Sequence, residues 1–249
     1  GPYYCDPGAS GANNGTSWTD AWQTLQRAID GTDGTQPVAG ETVYCRGSET
    51  ITSAVSMTGL SGTYNGGYIK FVGCNSGGTV DGTYFTIDGN NAAIDGIYFN
   101  AASYIWLENI KITQCDGTGA INSASAISDY CVFSNVWMHD NDAYGIGTNN
   151  TSYLPSLTTY RCKFTSNADG GYYRPNAKAN INACVFTGNA LGVHGLKDLN
   201  ICNSVFYNNS TYGVTHYSSS LSTRISNCVF DSNGTAGFHL SYAGSIWIT

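Results

Sequence analysis

The sequence predicts an all-β solenoid, a stack of strand-bearing coils, and three observations carry the prediction. Charged residues make up 11 % of the 249 positions, less than half the roughly 25 % usual in soluble domains, so long exposed helices lack their usual material. Thr, Ser, Tyr, Val and Ile are plentiful, and these residues fit a pleated, half-buried surface. The second half of the chain also repeats itself, and a period in this range marks a repeat architecture.

The elements follow in chain order. Residues 1–40 form an N-terminal segment with one short helix. Ser17 and Asp20 make a capping box, Trp18, Trp22, Leu25 and Ile29 fall on one helical face, and Gly31 stops the run. Such a helix covers the first coil, whose open end would expose core side chains and unpaired strand edges. Residues 41–249 form the coils as one continuous domain. The early ones, around Val43-Tyr44-Cys45, Tyr68 to Val72 and Ile94 to Phe99, are less regular. Six later segments align on Ile112, Met138, Phe164, Phe186, Phe206 and Phe230, at spacings of 26, 26, 22, 20 and 24 residues. Apolar and polar residues alternate around each of them, the two-residue period of a strand with one buried face. Two further inward columns follow: Ile110, Val136, Cys162, Cys184, Ser204, Cys228, and Leu107, Phe133, Thr159, Ile181, Ile201, Ile225. The last residues, Ser245 to Thr249, form an apolar run without a polar cap, so the native chain is expected to continue or a partner to cover this end.

Asn141, Asn167, Asn189, Asn209 and Asn233 form a column of their own, with Cys115 at the equivalent place one coil earlier. Asn tolerates left-handed backbone, and its amide can donate to the next coil while accepting from the previous one, so identical Asn stack at a tight turn. On these residues the chain resembles the right-handed parallel β-helix of the pectate-lyase-like superfamily, which includes phage tailspikes and many polysaccharide-processing enzymes. The resemblance covers most of the chain and implies a polysaccharide-directed function, virion-borne or extracellular. It leaves the activity open, because fold does not fix function.

Composition excludes some classes. A net charge of −7 with ten Lys and Arg disfavours nucleic acid, which is held through basic patches, and no apolar run reaches the roughly 20 residues needed to span a bilayer. The nine Cys show no CxxC spacing, so zinc is not expected. Cys162 and Cys184, stacked on adjacent coils, read as buried thiols, while Cys5 and Cys45 could pair if their strands adjoin. A mostly reduced set would suit assembly in a reducing cytosol.

Two clusters are candidates for chemistry. Asp116 and Asp142 occupy equivalent positions on neighbouring coils, about 5 Å apart, with Asp140 and Asp169 close by and Arg161, Lys163 and His139 on the adjoining strand. Carboxylates that close share a proton or a cation. Calcium would suit Asp116, Asp140, Asp142 and Asp169, though no motif requires a cofactor. Asp116 and Asp142 could serve a retaining glycosidase. Alternatively, calcium could acidify a uronate whose proton Lys163 or Arg161 removes, as in related lyases. Asp also simply suits polar turns.

In the second cluster Tyr173, His194, Thr215 and His239 share an outward column, with Arg174 and His216 one residue further and Lys178, Lys197 and Asp198 in the following loops. Arg could hold a carboxylate and Tyr stack on a sugar ring. A third outward column, Val185, Val205 and Val229, is apolar, and a homotrimer would bury it. The sequence therefore predicts a protein that binds, and in one version cleaves by lysis or hydrolysis, an acidic polysaccharide. The other class it fits is a non-catalytic segment of a viral fibre or bacterial adhesin.

Overall fold

The computed structural model describes residues 1–31, 36–123, 128–147, 156–174, 178–195, 198–217, 222–241 and 245–248. Its strands form three parallel sheets that wrap around one core. The first sheet has ten strands, from Tyr3–Cys5 to Ser245–Ile248. The second has eight, from Ser48–Thr50 to Val229–Asp231, and the third eight, from Val55–Ser56 to Ala236–Leu240. Eight successive coils each give one strand to each sheet, with one further first-sheet strand at either end, so the chain is a parallel β-helix.

The aligned columns are the observed register. Ile112, Met138, Phe164, Phe186, Phe206 and Phe230 lie opposite one another on successive strands of the second sheet. The four Phe rings stack face to face at 4.5, 4.8 and 5.0 Å. Those of Phe164, Phe186 and Phe206 are fully buried, each removal from water contributing about 1.5–3 kcal/mol.

The Asn column is a hydrogen-bonded ladder. Each Nδ2 donates to the next Oδ1, from Asn141 to Asn167 at 2.8 Å through Asn209 to Asn233 at 2.8 Å. The same Nδ2 groups reach back to strand carbonyls, as from Asn189 to Phe164 O at 2.9 Å. One detail differs from the sequence reading. The left-handed residue at this turn is the one before each ladder Asn: Asp140, Ser166, Gly188, Asn208 and Ser232, with φ of +51° to +66°. The ladder amide is thus selected for its paired donor and acceptor and not for its backbone.

The cap is shorter than expected. The helix spans only Leu25–Asp30, with Thr24 accepting from the Arg27 N–H and Gly31 closing it at φ +61°. Ser17 and Asp20 do bond to each other, but in a turn upstream. Trp22 instead bridges to Cys5 in parallel with the first strand, so the chain there is extended. Pairing to the first coil overrides helix propensity, and Leu25, Ala28 and Ile29 of the short helix join Trp22 in the core. The nine cysteines are all free. Cys5 and Cys45 lie opposite each other on paired strands, and the hydrogen bond with Cys45, together with burial, holds the Cys5 thiol well above its ordinary range.

Candidate functional site

The turn that follows the ladder places Asp116 within reach of the charge of Asp142. Desolvation, and then the charge of Asp142, raise the pKa of Asp116. The other predicted partners go elsewhere. Asp140 pairs with His139, Oδ2 to Nδ1 at 2.7 Å, and Asp142 and Asp169 are exposed. Among the described residues no three His, Cys, Asp or Glu side chains converge, so Asp116, Asp140, Asp142 and Asp169 do not form the calcium cage their spacing suggests. Lys163 lies on the outer face of the second sheet with Nζ 5.6 Å from the Trp137 ring. Arg161, at φ +54° in the preceding turn, covers Tyr160 at 4.8 Å. No ion pair joins either cation to Asp116 or Asp142 among the described residues.

On the third sheet Tyr173, His194, Thr215 and His239 do share a register column. Their rings are engaged with neighbours: Tyr173 stacks on Tyr144 at 4.7 Å, His194 on Tyr217 at 4.9 Å, and His239 on Tyr212 at 4.7 Å. Burial, and then the charge of His216, lower the pKa of His194. Thr215 is buried beneath these rings, its Oγ1 3.1 Å from His194 Nδ1. His216 corrects the sequence reading: at 1 % exposure it is inside the molecule. The strand period turns the residue after an outward one inward, and His216 accordingly pairs in register with Gly195 and Leu240. Arg174 shares that register column, but its side chain, like Lys197, lies outside the described residues. Among the described residues this face presents stacked aromatic rings.

The first sheet holds what sequence reasoning missed. Thr158, Asn180, Asn200, Arg224 and Trp247 follow one another in register across five coils. Asn180, Asn200 and Arg224 are exposed, and Asn200 Nδ2 donates to Asn180 Oδ1 at 3.3 Å. Two adjoining concavities run along this column. One of about 420 Å³ lies between Asn200, Arg224 and Trp247. The other, about 250 Å³, lies between Lys178, Asn180, Asp198 and Arg224, where Lys178 and Asp198 stand 3.7 Å apart. Trp247 is 64 % exposed. The signal was in the sequence, since each of these residues immediately precedes a member of the inward Thr159, Ile181, Ile201, Ile225 column or its continuation at Ile248. On the second sheet Val185, Val205 and Val229 continue the column of Lys163. Val185 and Val205 are half-buried and Val229 is 55 % exposed.

Comparisons with known proteins agree with this architecture. A family model described as "Right handed beta helix region" matches residues 95–249. Among solved structures the chain is similar to pectate lyase Pel9A, with 17 % identity and a TM-score of 0.59, covering 100 % of this chain and 77 % of that one. It is also similar to the A-module of the Azotobacter vinelandii mannuronan C-5 epimerase AlgE4, with 16 % identity and a TM-score of 0.49 over 98 % of this chain and 97 % of that one. No curated protein matches.

Proposed function

The chain belongs to the right-handed β-helix family, and from that premise we propose that it binds an acidic polysaccharide along the outer face of its first sheet. The observation that carries the reading is the column Asn180, Asn200, Arg224 and Trp247, open to solvent along two adjoining concavities. Each residue type has a part in holding such a chain. Amide side chains exchange hydrogen bonds with hydroxyls, a guanidinium takes a carboxylate in bidentate fashion, and an exposed indole offers a flat apolar face to a sugar ring. Consecutive coils repeat these groups at about 4.8 Å, which suits a linear polymer lying along the axis. The pectate lyase of similar fold has, by its name, a substrate of this class.

The reading is one of binding. The four residues first considered for cleavage, Asp116, Asp142, Lys163 and Arg161, share no ion pair among the described residues, and the Lys178 and Asp198 pair beside the groove engages its own charges. Calorimetric titration with polygalacturonate tests the proposal. Arg224→Ala and Trp247→Ala should each weaken binding about tenfold, and neutral dextran should bind far less than polygalacturonate. Unchanged affinity in both variants would overturn the reading. Release of reducing ends by the wild-type protein would add an activity that the Asp142→Asn variant would then locate.

A further inference from the structure

The second sheet carries another set of groups that no part of the groove explains. Lys111, Trp137 and Lys163 occupy one outward column on three successive coils. The two ammonium groups lie 5.8 and 5.6 Å from the Trp137 ring, within the distance at which a cation is held by the ring's quadrupole. The ring is itself fixed. His139 packs on it at 4.4 Å, Tyr84 approaches at 5.9 Å, and its Nε1 donates to Thr165 Oγ1 at 2.9 Å. Neither lysine has an acidic partner among the described residues, and the nearby Asp140 is engaged by His139. Arg161, exposed at the turn that leads into the strand of Lys163, adds a third cation. Three of the ten Lys and Arg thus gather on one corner of a chain whose net charge is −7.

We propose that Lys111, Trp137 and Lys163 form a second binding site for an acidic polysaccharide, on a different sheet from the groove. For the class of ligand the inference rests on the proposed function; for the site it stands on this geometry alone. The lysines are two coils apart, about 10 Å by strand spacing, so they match acid groups that recur along a chain and not a single small anion. Holding both ammoniums against a fixed ring removes part of the ordering cost that mobile lysines impose on a ligand. The remaining face of the column supports the boundary of the site, because beyond Lys163 it turns to Val185, Val205 and Val229.

The test is titration of the full chain with polygalacturonate oligomers at two salt concentrations, using Lys111→Gln/Lys163→Gln and, separately, Arg224→Ala. Wild type should show two classes of site. The double lysine variant, checked by its melting temperature for an intact fold, should lose one class and show a weaker salt dependence, since fewer charge contacts remain. A second measurement avoids substitution: bound polymer should slow amine acylation of Lys111 and Lys163 at least several-fold relative to the polymer-free protein. A double variant with wild-type stoichiometry and affinity, or equal acylation with and without polymer, would overturn the second site while leaving the groove standing. Loss of all binding in the lysine variant with none lost in Arg224→Ala would uphold this site and overturn the groove, and no binding by wild type would overturn both.

Discussion

At the residue scale the ladder amides and one buried carboxylate have consequences that can be measured. Asn189 accepts from both the N–H and the Nδ2 of Asn167 and donates to Phe164 O. Asn189→Ala therefore strands several buried polar groups at once, at about 1–3 kcal/mol each. We expect a loss of roughly 3 kcal/mol or more in urea denaturation, and a smaller loss for Asn233→Ala, where the surroundings are only part-buried. Equal losses at the two positions would show that burial does not set the cost. Glu49, 7 % exposed, accepts the Leu25 N–H at the start of the cap helix at 2.8 Å. Burial raises its pKa, against the lowering effect of that hydrogen bond. A carboxyl whose folded pKa is raised contributes stability below its unfolded value, near 4.3, and loses it as pH rises through the folded value. Glu49→Gln keeps an acceptor without the charge, so its melting temperature should gain on wild type between pH 4 and pH 7. A gap that stays constant over that range would sink the argument. The ladder was legible in the sequence because five Asn recur at coil spacing. Glu49 was not, because nothing local signals which carboxylate a distant helix terminus will cover.

At the scale of the element, the turns between the first and second sheets repeat a left-handed residue: Asn109, Asn135, Arg161, Ala183, Asn203 and Asn227, with φ of +49° to +54°. Several of the Asn are linked as a second, partial ladder, with Asn135 donating to Asn109 at 2.8 Å and Asn227 to Asn203 at 2.7 Å. Arg161 and Ala183 are the two members with neither the tolerance of Asn for this backbone nor a side-chain amide. Ala183→Asn should raise stability by roughly 1 kcal/mol, read as a higher melting temperature, and a fall would mean that packing at this corner outweighs backbone strain. The repeat aligned these positions at the level of sequence. What it hid was their shared conformation, because Arg and Ala carry no left-handed signal and only the coil closure imposes it. The cap helix shows the opposite failure. Its apolar spacing from Trp18 to Ile29 was helical, yet Trp22 bridges to Cys5, a long-range contact that local periodicity cannot register.

At the scale of the whole molecule, the periodicity that made the fold readable also explains why the groove was overlooked. Inward columns are apolar and repeat in kind, so they align by inspection. Outward columns change residue type from coil to coil, and Thr158, Asn180, Asn200, Arg224 and Trp247 look unrelated until register sets them in line. Candidate residues chosen by charge, such as Asp140 and His216, were then drawn to partners or to the interior by alternation and turn geometry. A solenoid builds its ligand surfaces by adding coils, each nearly independent of all but its neighbours, so affinity at such a surface should accumulate with ligand length. The five coils from Thr158 to Trp247 span about 19 Å at a strand spacing near 4.8 Å. Uronate oligomers measured one unit at a time should gain affinity until they cover that span and then level off. In Arg224→Ala the same series should level off at a lower plateau with a shallower salt dependence, because a charge contact is missing at every length that reaches the Arg224 coil. Affinity that is already maximal for the shortest oligomer would place recognition in a single pocket and leave the aligned column without a role in it.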